Sequence, residues 1–254
     1  MDLGIAGKLA IVTASSGGLG DAVARALAAE GVHLALFARS EERLRANAVE
    51  IERRYNVRVA PVVGDMRSRE DIENLVSVVK REFGGPDILV LNTGRPPSPP
   101  RDEVLDETDD DRWEEAYRTQ LWAAILAARI VTPLLVQRGW GRVIAITSAS
   151  VKQPMPRHGL STIFRAGVTG LMKHIANEVA SKGVTVNTVC PASIVTDSLK
   201  RTYDLSERIK RVPVGRLGRP EELAAIIAFL ASEHAAFITG ATIQVDGGMI
   251  ASLY

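Results

Sequence analysis

A glycine-rich segment near the N-terminus has the residue types and spacing of a phosphate-binding turn. Residues 13–20 read Thr-Ala-Ser-Ser-Gly-Gly-Leu-Gly and directly follow a short run of apolar residues. Glycines allow a backbone to approach a pyrophosphate closely, and the first N–H groups of a following helix supply donors and a partial positive charge. A tight strand-to-helix turn without a ligand would use the same residues. Their place between a first strand and a helix favours a dinucleotide site.

The next apolar run ends in a basic residue that bears on the choice of dinucleotide. Its last residues and the one after it are Ala38, Arg39 and Ser40. An acidic side chain in this region binds the ribose hydroxyls of NAD, whereas an arginine can pair with the 2′-phosphate of NADP. A solvated surface arginine is the alternative. We therefore expect NADP(H) rather than NAD(H) as the cofactor.

An alternating series of strands and helices must position these residues. Short apolar runs predict strands at residues 9–13, 33–38, 57–63, 88–92, 142–148, 185–190 and 242–245. Helical spacing lies between them, and two long helices are predicted at about residues 113–138 and 162–182. The candidate helix signals are caps at Ser40 and Ser68, ends at Gly84 and Gly183, and a start at Pro220.

This alternation predicts the fold class. Strands joined by helical crossovers imply a parallel sheet with helices on both faces, so we expect one α/β domain over residues 1–254, a Rossmann-like doubly wound sheet. Residues 95–111 are rich in proline and acidic residues and could be a linker between two domains. The alternation resumes after them, which favours a surface loop. Ligands of such sheets bind at the carboxyl ends of the strands, near the switch in strand order.

The composition limits the possible partners. The formal net charge of +1 gives no sign of the basic surface of a nucleic-acid binder. Cys190 is the only cysteine, which excludes an intramolecular disulfide, and the four histidines lack the close spacing of metal ligands. The longest apolar stretch, residues 121–136, is interrupted by Arg129 and Pro133 and is too short to span a bilayer. With no signal peptide visible, we expect a cytoplasmic protein without a metal or membrane partner.

Together these motifs resemble the classical short-chain dehydrogenase/reductase family, and the resemblance covers essentially the whole chain. The matching positions outside the glycine-rich turn are Asp65, Asn92, Gly94, Pro191, Thr196 and Asp246-Gly247-Gly248. Ala14 and Ala192 depart from the pattern, because each stands where the family has glycine. The resemblance implies cofactor contacts from Thr13, Ser15, Gly18, Leu19, Gly20, Arg39, Ser40, Asp65, Met66, Asn92, Thr93, Gly94, Arg165, Pro191, Ala192, Ile194 and Thr196.

The catalytic positions also depart from the family, which uses Asn, Ser, Tyr and Lys. In this chain they fall on Gln120, Ser148, Ser161 and Arg165. A tyrosine beside an ammonium can act as general acid or base, whereas a serine hydroxyl is far less acidic and rarely serves without a base beside it. Arg165 could still donate to ribose hydroxyls but cannot shuttle a proton at neutral pH. Gln120 is longer than asparagine and would disturb a relay through backbone and water.

Two nearby residues are candidates for the missing proton chemistry. His158 lies three residues before Ser161 and titrates in the useful range, and Lys152 lies four residues after Ser148. In members of the family this segment covers the nicotinamide end of the cofactor. A solvated loop residue is the alternative for each. Residues 197–212 correspond to the mobile substrate lid of the family.

The residues and the resemblance leave two main functions open. The first is an NADP(H)-dependent oxidoreductase that transfers a hydride between nicotinamide and a small carbonyl or alcohol substrate. Ser148 would polarise the substrate oxygen, and Ser161 would relay a proton with help from Arg165. The second is a dinucleotide-binding sensor or assembly protein that has lost turnover. Dehydration or epimerisation on the same scaffold is a further alternative, and the resemblance implies a homotetramer or homodimer.

Overall fold

One parallel β-sheet forms the centre of the computed structural model, which describes residues 1–101, 103–202 and 204–253. Its strands in those ranges are β1 (Leu9–Thr13), β2 (His33–Ala38), β3 (Val59–Val63), β4 (Ile88–Asn92), β5 (Gly141–Ile146), β6 (Val184–Pro191) and β7 (Thr242–Val245). The order across the sheet is β3-β2-β1-β4-β5-β6-β7, and each neighbouring pair is parallel. This confirms the doubly wound topology, whose switch point lies between β1 and β4.

Helices connect the strands and cover both faces of the sheet. In the described ranges they are α1 (Gly18–Ala29), α2 (Glu41–Tyr55), α3 (Arg69–Phe83), α4 (Asp110–Ala116), α5 (Ala123–Gln137), α6 (Gly159–Val179), α7 (Asp197–Thr202), α8 (Leu205–Lys210) and α9 (Pro220–Ala231). On one face α1, α2 and α9 bury residues such as Leu27, Ile51 and Ile227. On the other face α3, α5 and α6 bury residues such as Leu75 and Met172. Burial from both sides explains why the strands read as nearly continuous apolar runs.

Three predicted strands and both predicted long helices have different bounds in the structure. The strands predicted at residues 57–63, 142–148 and 185–190 are Val59–Val63, Gly141–Ile146 and Val184–Pro191. The helix predicted at residues 162–182 is Gly159–Val179, followed by a 3₁₀ turn at Ala180–Lys182. β5 ends early because Ser148 already caps a 3₁₀ turn, with its side chain accepting a hydrogen bond from the Ser150 N–H.

Most of the predicted helix signals are confirmed. The Ser68 hydroxyl accepts a hydrogen bond from the Asp71 N–H at 3.2 Å, Gly84 and Gly183 have positive φ angles of 79° and 76°, and Pro220 opens α9. Ser40 occupies the N-cap position of α2, but its side chain forms no capping hydrogen bond. The predicted side-chain cap at Ser40 is therefore wrong.

The helix predicted at residues 113–138 is a continuous helical segment, Asp110–Gln137, with a π-helical part at Tyr117–Trp122 between α4 and α5. By length and composition this segment could cross a membrane, which the shorter apolar stretch at residues 121–136 did not indicate. Half of the most apolar 18-residue stretch of this segment is buried inside the protein. Its second part, α5, packs on β4, β5 and α3. It has the packing of a core helix.

Two segments outside the sheet border the site. Residues 95–109 contain a 3₁₀ turn at Val104–Asp106, and they interrupt neither the sheet nor the order of its strands. Residues 197–212, the predicted lid, contain α7 and α8. Asp102 and Tyr203, which belong to these two segments, lie outside the described residues.

Candidate active site

The turn between β1 and α1 forms an open cradle for a phosphate. A Cβ atom on Gly20 would lie 2.5 Å from the Ala14 carbonyl oxygen, so the close approach of turn and helix requires glycine there. Gly17, at the N-cap of α1, has no side chain to bond the first N–H groups, and Gly18 has a φ of 58°. The Leu19 side chain packs against the core. Free N–H donors and the positive helix end therefore face the turn, which fits a pyrophosphate.

Two predicted cofactor residues in this turn use their hydroxyls to join strands. The fully buried Thr13 hydroxyl donates to the Asn92 carbonyl oxygen at 2.8 Å and accepts from the Asn92 N–H at 3.0 Å. The fully buried Ser15 hydroxyl accepts from the Phe37 N–H at 3.1 Å. These bonds hold the ends of β1, β2 and β4 together. Thr13 and Ser15 therefore act in this structure by holding the strand ends around the crevice.

The crevice continues past the end of β2 to a cluster of charged side chains. Arg39 and Ser40 are exposed at the start of α2, and Met66 is buried. The Asp65 carboxylate pairs with the Arg67 guanidinium at 2.6 Å. Burial acts to raise the pKa of Asp65, but hydrogen bonds from Arg67 and the charge of Arg39 together keep it below its ordinary value. Two guanidinium groups thus lie near one carboxylate at this end of the crevice.

The end of β4 lines the next part of the crevice. The Asn92 side-chain amide donates to the Ala14 carbonyl oxygen at 3.4 Å, which ties this strand to the phosphate turn. The Thr93 hydroxyl is buried and forms no hydrogen bond within the described part of the chain. A Cβ atom on Gly94 would lie 3.3 Å from the Thr119 Cβ, so a larger residue would push against the helical segment there.

The segment after β6 closes the opposite side of the crevice. The Ala192 N–H donates to the Val245 carbonyl oxygen at 3.1 Å, directly after Pro191, and Ile194 forms a bridge with Gly218. The Thr196 hydroxyl accepts from the Leu199 N–H at 3.2 Å and from Arg95 at 3.3 Å. The Thr196 methyl group is the nearest atom to a Cβ placed on Gly18, at 3.9 Å. Thr196 therefore faces the phosphate turn.

Arg165 is a buried cation at the centre of the site. Its guanidinium donates to the Gln120 Oε1 and the Ile146 and Thr147 carbonyl oxygens at 3.1 Å, and to the Gly94 carbonyl oxygen at 3.2 Å. Four of its five N–H groups are thus used within the protein, which leaves one for a ligand. Burial, and secondarily the Arg95 charge, lowers the pKa of Arg165 to about 10. It stays charged at neutral pH and cannot exchange a proton there.

Gln120 holds Arg165 from the π-helical part of the long helix. Its side chain is 0% exposed, and its Oε1 accepts the Arg165 Nε–H. The Gln120 Nε2 forms no hydrogen bond to the residues that the structure describes. Gln120 is therefore a positioning residue whose contact is with Arg165.

Ser148 has a hydroxyl that is oriented to donate a hydrogen bond. Its oxygen accepts from the Ser150 hydroxyl at 3.0 Å and from the Ser150 N–H at 3.2 Å. A serine oxygen has two acceptor positions and one hydrogen, so the remaining hydrogen is available to a third group. Ser148 is half-buried at the carboxyl edge of the sheet, whereas Ser150 is fully buried.

The other candidates for proton chemistry differ in their surroundings. The half-buried Ser161 hydroxyl forms no hydrogen bond within residues 1–101, 103–202 and 204–253. His158 Nδ1 donates to the Pro156 carbonyl oxygen at 2.8 Å, which leaves its Nε2 as an acceptor for Arg208 at 3.4 Å. Burial and nearby arginines lower the pKa of His158, so the ring is neutral rather than a ready proton donor. Burial raises the pKa of the Cys190 thiol, and the nearby charges of Lys152 and Arg165 act in the opposite direction.

Comparisons with known proteins fit this crevice and its sheet. Residues 13–250 match the family model described as Enoyl-(Acyl carrier protein) reductase. The chain is 36% identical to 3-oxoacyl-[acyl-carrier-protein] reductase FabG of Escherichia coli (strain K12), over 96% of this chain and 97% of the relative. The chain belongs to the classical short-chain dehydrogenase/reductase family. L-sorbose reductase from Gluconobacter frateurii, solved in complex with NADPH and L-sorbose, superposes with a TM-score of 0.92 at 33% identity, and both chains are fully covered.

A second solved member of the family has a similar structure. YwfH, described as an NADPH-dependent reductase involved in bacilysin biosynthesis, has a TM-score of 0.89 at 26% identity, with 97% of this chain and 99% of YwfH covered. These relatives are named reductases, which supports an enzyme of the same oxidoreductase class. They give no support to a sensor that has lost turnover.

Of the four predicted catalytic positions, the structure brings Gln120 and Arg165 into direct contact, and Arg165 also donates to the carbonyl oxygen of Thr147, the residue before Ser148. Gln120, Ser148, Ser161 and Arg165 come from the helical segment, the end of β5 and the first turns of α6. Arg67 and Ser150 belong to the site, and sequence reasoning missed both. Arg67 lies two residues after Asp65 and could have been noticed as a second basic residue. Nothing in the sequence indicates that Ser150 turns back onto Ser148.

Proposed function

We propose that this protein is an NADPH-dependent reductase that converts a small-molecule carbonyl compound to an alcohol. The observation that carries the proposal is the Ser148 hydroxyl, whose acceptor positions are occupied by Ser150 and whose hydrogen is left to donate. It lies at the same sheet edge as the phosphate cradle. A carbonyl oxygen that gains negative charge during reduction needs such a fixed donor.

The charged end of the crevice supports NADP(H). Arg39 is exposed after β2, and Arg67 lies beside Asp65 on the neighbouring turn. A guanidinium pairs well with a phosphate, so these residues suit the 2′-phosphate that distinguishes NADP from NAD. Of two structural neighbours, one is solved in complex with NADPH and the other is described as an NADPH-dependent reductase. A bound reduced nicotinamide supplies a hydride to the substrate carbon.

The catalytic positions divide the remaining work. Ser148 donates to the substrate oxygen and stabilises its developing charge. Arg165 offers its remaining N–H and its fixed charge to the cofactor side of the site and moves no proton. Ser161 supplies the hydroxyl at the family's tyrosine position, and we assign to it the relay of a solvent proton to the product oxygen. The His158 ring accepts a hydrogen bond from Arg208, and its lowered pKa makes it a poor source of that proton.

Assembly and location extend the proposal. The family resemblance supports a homotetramer or homodimer through the long helices and β7, which lies at the edge of the sheet. A cytoplasmic location is consistent with a single, buried cysteine and with a long apolar helix that packs in the core.

The test is a turnover assay with the full-length protein and NADPH. We expect loss of NADPH absorbance with at least one compound in a panel of ketones, aldehydes and acyl thioesters. Ser148→Ala should lower kcat by about a hundredfold or more and leave the Kd for NADPH from calorimetry unchanged. Ser77→Ala, at an exposed position of α3, is the matched control. No turnover across the panel, or wild-type kcat in Ser148→Ala, would refute the proposal.

A further inference from the structure

The proline-rich segment after β4, residues 96–101 and 103–107, packs against the start of α6. Val104 makes the contact, because a Cβ atom on Gly159 would lie 3.0 Å from the Val104 Cγ2. Gly159 precedes Ser161 by two residues. The segment therefore lies beside the position to which we assign the proton relay.

A buried carboxylate holds this segment in place. The Glu107 side chain is only 3% exposed, and its Oε1 pairs with Arg112 at 2.8 Å and with Arg101 at 3.7 Å. Arg112 also donates to the Pro99 carbonyl oxygen at 2.8 Å, so one guanidinium joins both parts of the segment to α4. The Glu107 carbonyl oxygen accepts from the Trp113 Nε1–H at 2.8 Å. Because charge-assisted hydrogen bonds are strong, these contacts fix the segment on the helix.

The space between the proline-rich segment and Ser161 is small. Its volume is about 20 Å³, and its lining includes Pro96, Pro97, Val104 and Ser161. A water molecule needs about 10–15 Å³ of such space, so there is room for about one water. An ethyl or longer alkyl group does not fit there unless the segment moves.

A larger cavity lies beside the predicted lid. Its volume is about 240 Å³, and Met155, Met249 and residues of α8 line it. Arg157 and His158 line both spaces. The region is thus narrow beside the proline-rich segment and wide beside α8 and the C-terminal segment. Two spaces of such unequal volume can distinguish the two groups attached to a carbonyl carbon by their size.

We propose that the proline-rich segment is a fixed wall of the substrate site, which limits one of the two groups on the reacting carbon to about the size of a methyl group. Val104 is the specificity-determining residue that closes the wall against α6, and Glu107 is the positioning residue that holds it. The inference rests on the proposed reductase function and narrows its substrate to an aldehyde or a methyl ketone. The larger group of the substrate extends to the cavity beside α8.

The first experiment compares carbonyl compounds that differ in their smaller group, with the full-length protein and NADPH. The pairs are butane-2,3-dione with hexane-3,4-dione, and ethyl 3-oxobutanoate with ethyl 3-oxohexanoate. In each pair the smaller group on the reacting carbon grows from methyl to ethyl or propyl. We expect kcat/KM to be about ten- to two-hundredfold higher for the smaller compound. Equal kcat/KM within the pairs, or a preference for the larger compounds, overturns the inference and leaves the reductase function standing.

The second experiment widens the space beside Ser161. Val104 is 40% exposed, so we expect Val104→Ala to fold, and the loss of two methyl groups leaves room beside Gly159. It should raise kcat/KM for the larger compound of each pair about tenfold, mainly through a lower KM, and change the smaller compound little. Val49→Ala, exposed on α2, is the control. An unchanged size preference in Val104→Ala contradicts the proposed wall.

The third experiment releases the anchor. Glu107→Gln removes the charge that pairs with Arg112 and Arg101, so residues 103–113 should exchange their amide hydrogens faster and the size preference should weaken. Asp106→Asn, exposed at the neighbouring position, is the matched control and should keep both properties. Exchange at the wild-type rate in Glu107→Gln, or faster exchange with an unchanged size preference, overturns the inference. If Glu107→Gln does not fold, Val104→Ala decides.

A binding measurement separates failure of this inference from failure of the reductase function. If none of the four compounds is reduced, butane-2,3-diol and hexane-3,4-diol are added to the protein with NADP⁺ and followed by saturation-transfer NMR. Stronger binding of the smaller diol, together with a gain for the larger diol in Val104→Ala, supports the wall independently of turnover. Equal binding of both diols, or binding of neither, overturns it.

Discussion

Ala14 occupies a backbone conformation that glycine adopts more easily. Its φ of 49° lies in the left-handed region, which costs a residue with a Cβ about 1–2 kcal/mol. A glycine at this position would lose about 0.5–1 kcal/mol through the entropy of the unfolded chain. We therefore expect Ala14→Gly to raise the free energy of unfolding by about 0.5–1 kcal/mol. Urea unfolding measures this change.

The control for that prediction is an alanine with ordinary helical geometry. Ala46 is exposed within α2, where glycine is disfavoured by about 1 kcal/mol. Ala46→Gly should thus lower the free energy of unfolding, opposite in sign to Ala14→Gly. Two variants that destabilise the protein equally would show that the turn stores no strain at Ala14.

The bond between Gln120 and Arg165 makes a second prediction at the residue scale. Gln120→Asn restores the family's residue type but shortens the side chain by one methylene, so its oxygen no longer reaches the Arg165 Nε–H. A buried charged donor without an acceptor costs about 1–3 kcal/mol, and we expect the free energy of unfolding to fall by that amount. Gln137→Asn, exposed at the end of α5, should change it little. A fully stable Gln120→Asn variant would contradict the assigned contact.

Sequence reasoning located these residues but could not determine their contacts. The spacing from Ser148 and the apolar helix downstream set the register in which the family resemblance assigns Ser161 and Arg165 to catalytic positions. It gave no means of knowing that Arg165 uses most of its donors on Gln120 and on carbonyl oxygens. Those bonds depend on where three separate elements meet, and a local pattern does not encode that distance.

At the scale of elements, the π-helical part of the long helix illustrates the same limit. Tyr117–Trp122 contains neither proline nor glycine, and its apolar spacing predicts an ordinary helix. The wider turn places Gln120 where it meets Arg165 from α6. Packing between the two helices is therefore an explanation for the irregular part, and this information is absent from the segment itself.

The start of α6 carries a histidine whose protonation is opposed by its surroundings. His158 is the N-cap of the helix, where the helix dipole disfavours a cation. Burial lowers its pKa below the ordinary 6.5, and the charges of Arg208, Arg157 and Arg165 lower it further against the effect of the Pro156 carbonyl. Near pH 6.5 the unfolded chain takes up this proton and the folded chain does not. The free energy of unfolding therefore decreases as the pH falls below that value.

Removal of the imidazole should reduce this acid sensitivity. Between about pH 7 and about pH 5, we expect His158→Gln to lose less stability than the wild type. His174→Gln, at an exposed position of α6, serves as the control on the same helix. Urea unfolding at a series of pH values gives the slopes. A His158→Gln variant with the slope of the wild type would show that His158 is protonated equally in both states.

At the scale of the whole molecule, the sheet was the most predictable feature. β1, β2, β4 and β7 have the predicted boundaries, because each is a short apolar run between a glycine, a helix cap or a charged turn. The strand order does not follow from those runs alone. It follows from the rule that helical crossovers join parallel strands, together with the family's motifs at the ends of β1 and β4.

The outer face of α6 bears on assembly. Ile163, Ala166 and Gly170 follow one another at helical spacing and are all exposed, with Ile163 at 45%. Small and apolar residues on one helix face allow another helix to approach closely. The neighbouring long helical segment, Asp110–Gln137, is apolar, and only half of its most apolar stretch is buried. We expect a second copy of the chain to cover these faces.

Assembly can be tested by placing a charge where that approach would be closest. Light scattering after size-exclusion chromatography should show a dimer or tetramer for the wild type. Ala166→Glu should shift the mass to a smaller species, because a carboxylate buried without a partner opposes association. Val49→Glu, exposed on α2 and far from this face, should keep the wild-type mass. Far-ultraviolet circular dichroism checks that both variants are folded. A monomeric wild type would contradict the prediction that a second copy covers these two helix faces.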